Sequence, residues 1–241
     1  MTSPRKPLVY IVSAPSGSGK STLVELLLKL VSDLEFSISY TTRAPRGSER
    51  NGKQYHFVPR AEFEQMIRDH EFLEHANVHG NWYGTARRFM RDAEQKGHDL
   101  LLDIDVQGAA QVKQALPDAI SIFVLPPDRK TLEWRLSNRG EDAPDVIHHR
   151  LDTAKREIEN YDKYDYILIN DKLEESCEDL RAIVLSARLL RSAESTSGPL
   201  SEPLSEQDKR ITDRADRCRL ANAKDRVKPI LDSFRDPPPP A

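Results

Sequence analysis

The hydrophobic pattern of the chain alternates between short apolar runs and longer segments with a helical period. The apolar runs 8–12, 100–105, 120–125 and 166–171 are typical of buried strands. Each run precedes a segment in which apolar residues recur every three or four positions, which predicts a helix. The predicted helices are 21–34, 107–116, 128–139 and a last one that ends near Arg191. Because strand and helix alternate, we predict an α/β fold with a doubly wound parallel sheet and a ligand at the carboxyl ends of its strands.

Residues 36–85 have a different pattern, which predicts a small β-rich insertion. The predicted elements are strands at 36–40, 55–58 and 71–78 and a helix at 61–70. We interpret 80–85 as a turn that opens a helix at Thr85, a suitable N-cap, and we expect that helix to end at Gly97.

Two charged helices, 128–139 and about 145–160, are joined by a turn that contains Gly140. Such a pair is suited to be a mobile lid; the alternative is a solvated helix pair whose arginines meet Asp and Glu side chains. We therefore predict one main domain, 1–191, with a core, an insertion and a lid. The core is 7–35, 86–127 and 161–191, the insertion is 36–85 and the lid is 128–160.

From Ser192 onward the chain is rich in Ser, Glu, Pro, Asp and Arg, and it has few large apolar residues. Such a composition buries too little apolar surface to form a fold of its own. We expect 192–241 to be a mostly disordered extension outside the fold, with room for one short helix near 217–234. Truncation after Arg191 is then expected to leave fold and activity intact.

Composition narrows the classes of protein further. The 241 residues have a formal net charge of −3, which does not suggest binding to nucleic acid or to a membrane surface. The two cysteines, Cys177 and Cys218, cannot build a disulfide framework and lack metal-ligand spacing. No stretch is typical of a signal peptide or a membrane span. We expect a soluble cytoplasmic protein, and the sequence indicates no oligomeric state.

Residues 14–22 are a glycine-rich turn between the first predicted strand and the first predicted helix. Gly17 and Gly19 allow backbone N–H groups to point inward, where the helix N-terminus adds a partial positive charge. Lys20 would reach the β- and γ-phosphates of a nucleotide, and the Ser21 hydroxyl would bind the magnesium ion between them. The general P-loop pattern has glycine where this chain has Ala14. The predicted phosphate-binding residues are Ala14, Pro15, Ser16, Gly17, Ser18, Gly19, Lys20, Ser21 and Thr22.

Two further features, a pair of loop arginines and a strand that ends in aspartates, each fit both a binding role and an ordinary structural one. Arg43 and Arg46 lie in a loop, where guanidinium groups suit phosphate oxygens, but loop arginines are more often solvated surface. The run 100–105 ends in an Asp-Ile-Asp sequence. An aspartate at the end of an apolar strand can place a carboxylate near magnesium in a P-loop enzyme, and it is also a common strand ending.

Several separated motifs, in this order, resemble those of the guanylate kinase family. They are 14–21 (APSGSGKS), 39–46 (SYTTRAPR), 52–55 (GKQY), 72–74 (FLE), 80–85 (GNWYGT) and 102–105 (LDID). The resemblance covers about residues 7–190 and excludes the tail. It implies a P-loop kinase fold with a mixed β-rich GMP-binding insertion and a helical lid. The implied reaction is ATP + GMP to ADP + GDP, a step of purine nucleotide metabolism.

By this resemblance, GMP would be bound mainly by the insertion. A carboxylate such as Glu74 can accept hydrogen bonds from the guanine N1–H and 2-amino groups together, whereas adenine has an acceptor at N1 and no 2-amino group. Arg43 and Arg46, with the phenol groups of Tyr55 and Tyr83, would clamp the 5′-phosphate. The implied GMP-binding residues are Ser39, Arg43, Arg46, Tyr55, Glu74, Tyr83, Gly84, Thr85, Asp103 and Asp105.

The resemblance also implies the residues of phosphoryl transfer. Because the attacking atom is an anionic phosphate oxygen, alignment and charge neutralisation suffice without a strong base. The implied catalytic residues are Lys20, Arg135, Arg139 and Arg150. Magnesium would be bound by Ser21, and by Asp103 through water, while Asn170 would contact the adenine side of ATP.

Two other functions fit parts of the pattern. Guanylate-kinase-like interaction modules resemble the insertion but lack a working P-loop lysine, whereas Gly19, Lys20 and Ser21 are all present here. A P-loop kinase for another small phosphate acceptor is the second alternative. Against it stand Glu74, Tyr83 and the arginine pair, which together suit a purine monophosphate.

Overall fold

The computed structural model of the protein describes residues 5–78, 80–138, 144–195 and 204–235. In chain order the elements are β1 (Val9–Ser13), α1 (Lys20–Leu30), β2 (Leu34–Ser37), β3 (Tyr40–Thr41), β4 (His56–Phe57), α2 (Arg60–Arg68), β5 (Phe72–Val78), β6 (Asn81–Ala86), α3 (Arg88–Lys96), β7 (Asp99–Asp103), α4 (Val106–Ala115), β8 (Ile120–Leu125), α5 (Arg129–Ser137), α6 (Pro144–Ile158), β9 (Tyr166–Ile169), α7 (Leu173–Ser195), α8 (Glu206–Cys218) and α9 (Leu220–Ser233). Within these ranges, no helix has the length and apolar character needed to cross a bilayer.

The chain divides into two compact units. The first combines the chain up to Ser13 with Val31–Ser121, and the second combines Ala14–Leu30 with the chain from Ile122 onward. Three strands of the first unit form a parallel ladder in the order β2-β7-β1. All of β1 and the first four residues of β7 are buried, which explains why both strands are nearly continuous apolar runs.

A four-stranded mixed sheet in the first unit has the order β4-β3-β6-β5. Its strands β3 and β4 pair in parallel, whereas β6 is antiparallel to both β3 and β5. Phe63 of α2 stacks on Phe72 of β5 with ring centroids 4.5 Å apart, and Tyr40, Met66 and Ala86 complete this small core. The sheet therefore has its own apolar centre.

The prediction that 80–85 form a turn with Thr85 as a helix N-cap is wrong. The segment forms β6, in which Thr85 lies opposite Glu74, and α3 begins only at Arg88. Aromatic and β-branched residues in this stretch favour a strand once a partner strand is available. The predicted end of the helix is confirmed, because Gly97 caps α3 in the left-handed conformation with a φ of 70°.

The first predicted helix is also shorter than its apolar stripe suggests. The helix α1 ends at Leu30, and Leu34 begins β2 instead of continuing the helical face. Between them, Asp33 has a φ of 56°, a left-handed conformation that a helix cannot contain.

The second unit contains the parallel pair β8 and β9, in register from Ile122 opposite Tyr166 to Leu125 opposite Ile169. The long helix α7 packs against both α1 and α8. The glycine-rich loop, α1 and the two predicted lid helices all belong to this unit.

The prediction of a mostly disordered tail is wrong for residues 206–233. The helix α9 agrees with the short helix allowed near 217–234, but α8 was not predicted. The tail buries a narrow stripe of residues at helical spacing, half of them small, so a count of large apolar residues underestimates what it can bury. The buried tail residues are Ala215, Cys218, Ala223, Val227, Ile230 and Phe234.

Candidate active site

The glycine-rich loop joins β1 to α1, which begins at Lys20. Gly17 and Gly19 have φ angles of 92° and 87°, which residues with a Cβ rarely adopt. The Ser18 N–H donates to the carbonyl of Pro15 at 3.1 Å and closes the turn. A tight turn of this kind before a helix N-terminus is suited to bind phosphate.

Two of the predicted site residues support this loop. The Ser18 carbonyl accepts hydrogen bonds from Asn170 Nδ2 at 2.7 Å and from Arg135 Nη1 at 3.4 Å. Arg135 Nη2 also donates to the Asn170 carbonyl at 2.9 Å. The amide group of Asn170 therefore holds the loop, and its contact with adenine stays a prediction.

The other predicted lid arginines have different outcomes. Arg150 of α6 donates from Nη2 to Ser16 Oγ at 2.9 Å, which brings it to the loop. Arg139 lies outside the described residues.

Ser21 and Thr22 are exposed in the first turn of α1, where their hydroxyl groups are accessible.

In the first unit, the centre of the predicted acceptor site is Glu74, which is 5% exposed on β5. Burial raises the pKa of Glu74 to about 7 against the opposing effect of Thr85, and the charge of Asp105 adds to the rise. Asp105 is the N-cap of α4 and accepts from the Gly108 N–H at 2.8 Å. A buried carboxylate with so perturbed a pKa indicates a functional site.

Sequence reasoning missed two residues that place Glu74. A Cβ on Gly108 would lie 2.7 Å from Glu74 Oε2, so a larger residue there would displace the carboxylate from its observed position. Gln111 pairs with the backbone of His75, accepting from its N–H at 3.2 Å and donating to its carbonyl at 2.9 Å. The side chain of Gln111 thus joins α4 to β5 beside Glu74. A glycine and a glutamine three residues apart on a helix give no local signal that one leaves space for a carboxylate and the other binds a neighbouring strand.

The predicted phosphate clamp is also in the first unit. Arg43 makes two hydrogen bonds to Glu49, at 2.8 and 3.0 Å, and its guanidinium lies 5.2 Å from the centre of the Tyr55 ring. Glu49 raises the pKa of Arg43, so the guanidinium stays charged. The Tyr55 and Tyr83 rings are 5.8 Å apart, and burial raises the pKa of Tyr55, which keeps its phenol a hydrogen-bond donor.

Glu49 is a third residue that sequence reasoning missed. Besides binding Arg43, it accepts from the Arg46 backbone N–H at 2.8 Å, while the Arg46 side chain is exposed. One carboxylate therefore organises the loop that carries both arginines. Its position three residues after Arg46, where it can close a turn, is the only signal in the sequence.

The remaining predicted residues have mixed roles. The Ser39 carbonyl accepts from the His56 N–H at 2.9 Å, which fixes the start of β4. Gly84 makes room for a neighbour, because a Cβ there would lie 2.8 Å from the Phe72 ring. Asp103 is half-buried at the carboxyl end of β7, as the sequence predicts.

The phosphate loop on an α/β chain defines a P-loop nucleotide-binding protein, and a buried carboxylate in the same unit as an arginine–tyrosine group suits a nucleoside monophosphate as acceptor. Together the two features indicate the class of P-loop kinases. Residues 5–187 match the family model of guanylate kinase. The chain belongs to the guanylate kinase family.

Known proteins of this family are similar over most of the chain. A guanylate kinase of Koribacter versatilis (strain Ellin345) is 55% identical over 95% of this chain and 96% of its own length. One of Dechloromonas aromatica (strain RCB) is 50% identical over 75% of this chain and 90% of its own length. The crystal structure of guanylate kinase from Anaplasma phagocytophilum matches with a TM-score of 0.65 and 32% identity, covering 81% of this chain and 97% of that one. The predicted α/β P-loop kinase fold is thereby confirmed.

Proposed function

We propose that the protein is a guanylate kinase that transfers the γ-phosphoryl group of ATP to GMP, giving ADP and GDP. The observation that carries the proposal is Glu74, a carboxylate only 5% exposed in a chain of this family. ATP and GMP are cytoplasmic metabolites, so we place the reaction in the cytoplasm, where it returns GMP to the nucleotide pool.

Recognition of the acceptor depends on Glu74. Its two carboxylate oxygens can accept the adjacent N1–H and 2-amino donors of guanine, and adenine would leave them facing a lone pair. The buried position makes this mismatch costly, because an unpaired buried polar group loses about 1–3 kcal/mol, and more when it is charged. Arg43, Tyr55 and Tyr83 supply positive charge and hydrogen-bond donors for the 5′-phosphate.

On the donor side, the second unit offers backbone N–H groups and three cationic side chains. The loop at Gly17 and Gly19 suits the phosphates of ATP, and Lys20 begins the helix behind it. Arg135 and Arg150 already bind Ser18 and Ser16 of the same loop. These charges would neutralise the γ-phosphoryl group during transfer, which is the main contribution that proteins make to this reaction.

The residues of the loop also fit magnesium. Ser21 offers an exposed hydroxyl oxygen, a hard donor of the kind that Mg²⁺ prefers. Among the described residues, no three His, Cys, Asp or Glu side chains form a metal site, which suits an ion held mostly by substrate phosphates and water. When bound, the ion would act as a Lewis acid that reduces the negative charge of the nucleotide phosphates. We propose Ser21 as its protein ligand, and the contact of Asp103 through water stays a prediction.

A panel of acceptors tests the proposed function. With ATP and magnesium, a coupled assay of ADP formation should show turnover with GMP, and kcat/KM for AMP should be lower by about ten-thousandfold. UMP and CMP, which lack a purine edge, should be equally poor. Equal use of AMP and GMP would contradict the role of Glu74, and no turnover with any acceptor would favour an interaction module.

Replacing Arg43 by alanine should weaken GMP binding by about 2–5 kcal/mol, because the phosphate loses a charged partner and Glu49 is left without its cation. Titration calorimetry with GMP and with MgATP measures both affinities, and ATP binding should be unchanged. The exposed Arg50 of the same loop provides the control, since Arg50→Ala removes a charge outside the predicted clamp. Equal losses for the two nucleotides would show that Arg43 is not part of the acceptor site.

A further inference from the structure

The C-terminal helices α8 and α9 are an integral part of the second unit. Helix α8 packs against α7 and β9, and α9 packs against α5 and β9. On α8, Arg214 Nε donates to Asp179 of α7 at 2.6 Å. On α9, Val227 and Ile230 are buried. The tail therefore contacts two elements that support the phosphate loop: α5, which carries Arg135, and β9, which is followed by Asn170.

One connection passes through α5. The first N–H groups of a helix have no partner within it. Asp128 accepts from the Thr131 N–H at 2.6 Å, and Ser233 Oγ, from the end of α9, accepts from the Arg129 N–H at 3.0 Å. The tail thus completes the N-terminal cap of the helix that carries Arg135.

The same helix packs directly on the loop. A Cβ on Gly17 would lie 2.9 Å from methyl carbons of Leu132 and Leu136. A small displacement of α5 would therefore change the space at Gly17 as well as the hydrogen bonds of Arg135.

A second connection passes through β9. Arg219, between α8 and α9, forms a β-bridge with Tyr166, and its guanidinium lies 5.2 Å from the centre of that ring. The Leu220 N–H donates to the Asp165 carbonyl at 2.9 Å. These contacts fix the start of β9, and the strand leads to Asn170, which holds Ser18.

Both connections end at the same atom, the Ser18 carbonyl, because Asn170 and Arg135 both donate to it. We propose that α8 and α9 position the phosphoryl-donor site: they hold α5 and β9 so that the P-loop keeps the shape that binds ATP. The proposal rests on the proposed function only in identifying ATP as the ligand. The relative from Koribacter versatilis covers 95% of this chain, and the unmatched 5% is too short to contain both helices, so it shares at least part of this extension.

Substitutions in the full chain test the proposal. Ser233→Ala should raise the Kd of MgATP by about threefold to tenfold, in the range of a lost helix cap, and Ser233→Thr, which keeps the hydroxyl, should restore it. Ile230→Asp, which places a charge in the buried face of α9, should raise the same Kd more than about tenfold. Ala221→Asp, on the exposed face of α9, is the matched control.

The Kd of GMP, measured without ATP, separates positioning from general destabilisation. We expect it to stay constant in all four variants, because the residues assigned to GMP belong to the other unit. A parallel loss of GMP and ATP binding would overturn the proposal. The proposal would also be overturned if the Ile230→Asp variant bound ATP with unchanged affinity while hydrogen exchange showed that α9 no longer packs on α5 and β9. If Ile230→Asp does not fold, the comparison of Ser233→Ala with Ser233→Thr tests the proposal. Equal affinities of these two variants for MgATP would overturn it.

Direct titration with MgATP also separates this proposal from the proposed function. A wild-type protein that binds ATP but phosphorylates no acceptor would refute the proposed function. The ATP affinities of the tail variants would still test positioning.

Discussion

Replacement of Lys20 by alanine should reduce kcat by about a thousandfold or more while GMP binding stays unchanged. Lys20 is the first residue of α1 and directly follows Gly19, so its ammonium group is the charge that the loop geometry brings to the β- and γ-phosphates. The residues assigned to GMP belong to the other unit. Steady-state kinetics with saturating ATP and GMP measure the rate, and calorimetry without ATP measures GMP affinity.

Two further substitutions give this experiment its controls. Lys29→Ala removes the same charge from an exposed position of the same helix, and its kcat should equal that of the wild type. Lys20→Arg keeps the charge but replaces a compact ammonium by a planar fork, and it should recover only part of the rate. A Lys20→Ala enzyme with the wild-type rate would contradict the P-loop assignment.

The donor loop could be predicted because its signal is local. A buried strand, two glycines and a helix start within a few residues determine where backbone N–H groups point. The positive φ angles of Gly17 and Gly19 are what that spacing requires. What the sequence did not reveal is that Arg135 and Asn170 support the loop, because their meeting at Ser18 depends on how distant segments pack.

The acceptor site could be predicted only in part. Glu74 and Arg43 were found through motif resemblance, but Gly108 and Glu49 were not. Gly108 contacts Glu74 from a different element, and the only signal for Glu49 is its position three residues after Arg46. Thr85 illustrates the limit: its residue type suits a helix cap, and the pairing of β6 with β5 places it in a strand. Tertiary pairing overrides local preference in such cases.

The tail shows the opposite limit, where composition misleads. Its charged residues lie on the exposed faces of α8 and α9, and the buried stripe contains small residues such as Ala215 and Ala223. The apolar partners of that stripe lie on α5, α7 and β9, so a segment that could not fold alone is ordered by the rest of its unit.

The substitution Glu74→Gln should weaken GMP binding by about 3–4 kcal/mol, which is two to three orders of magnitude in Kd. Glutamine keeps one acceptor oxygen, but its amide N–H₂ faces one of the two guanine donors, which is then buried without a partner. Calorimetry with GMP measures the loss, and Glu71→Gln, at an exposed position three residues away, is the matched control. An unchanged affinity for GMP would show that Glu74 does not read the base.

The same carboxylate makes GMP binding dependent on pH. Since the pKa of Glu74 is about 7 in the free protein and GMP requires the carboxylate, the Kd should rise about tenfold per pH unit below 7 and level off above it. The GMP phosphate also titrates, with a second pKa of about 6. The variant Glu74→Gln retains the titration of the GMP phosphate and loses the titration of the carboxylate. The difference between the pH profiles of the wild type and this variant therefore isolates the effect of Glu74.

The stability of the free protein should change in the opposite direction. The folded pKa of Glu74, about 7, lies above the ordinary glutamate value of 4.5, so its contribution to stability is greatest below pH 4.5 and is lost as pH rises to about 7. The loss is at most about 3 kcal/mol. At pH 8, Glu74→Gln should therefore unfold at a higher temperature than the wild type, with the difference shrinking toward pH 5. A buried charge that costs stability and is needed for binding is the sign of a functional residue, whereas a purely structural Glu74 would lower the unfolding temperature when replaced.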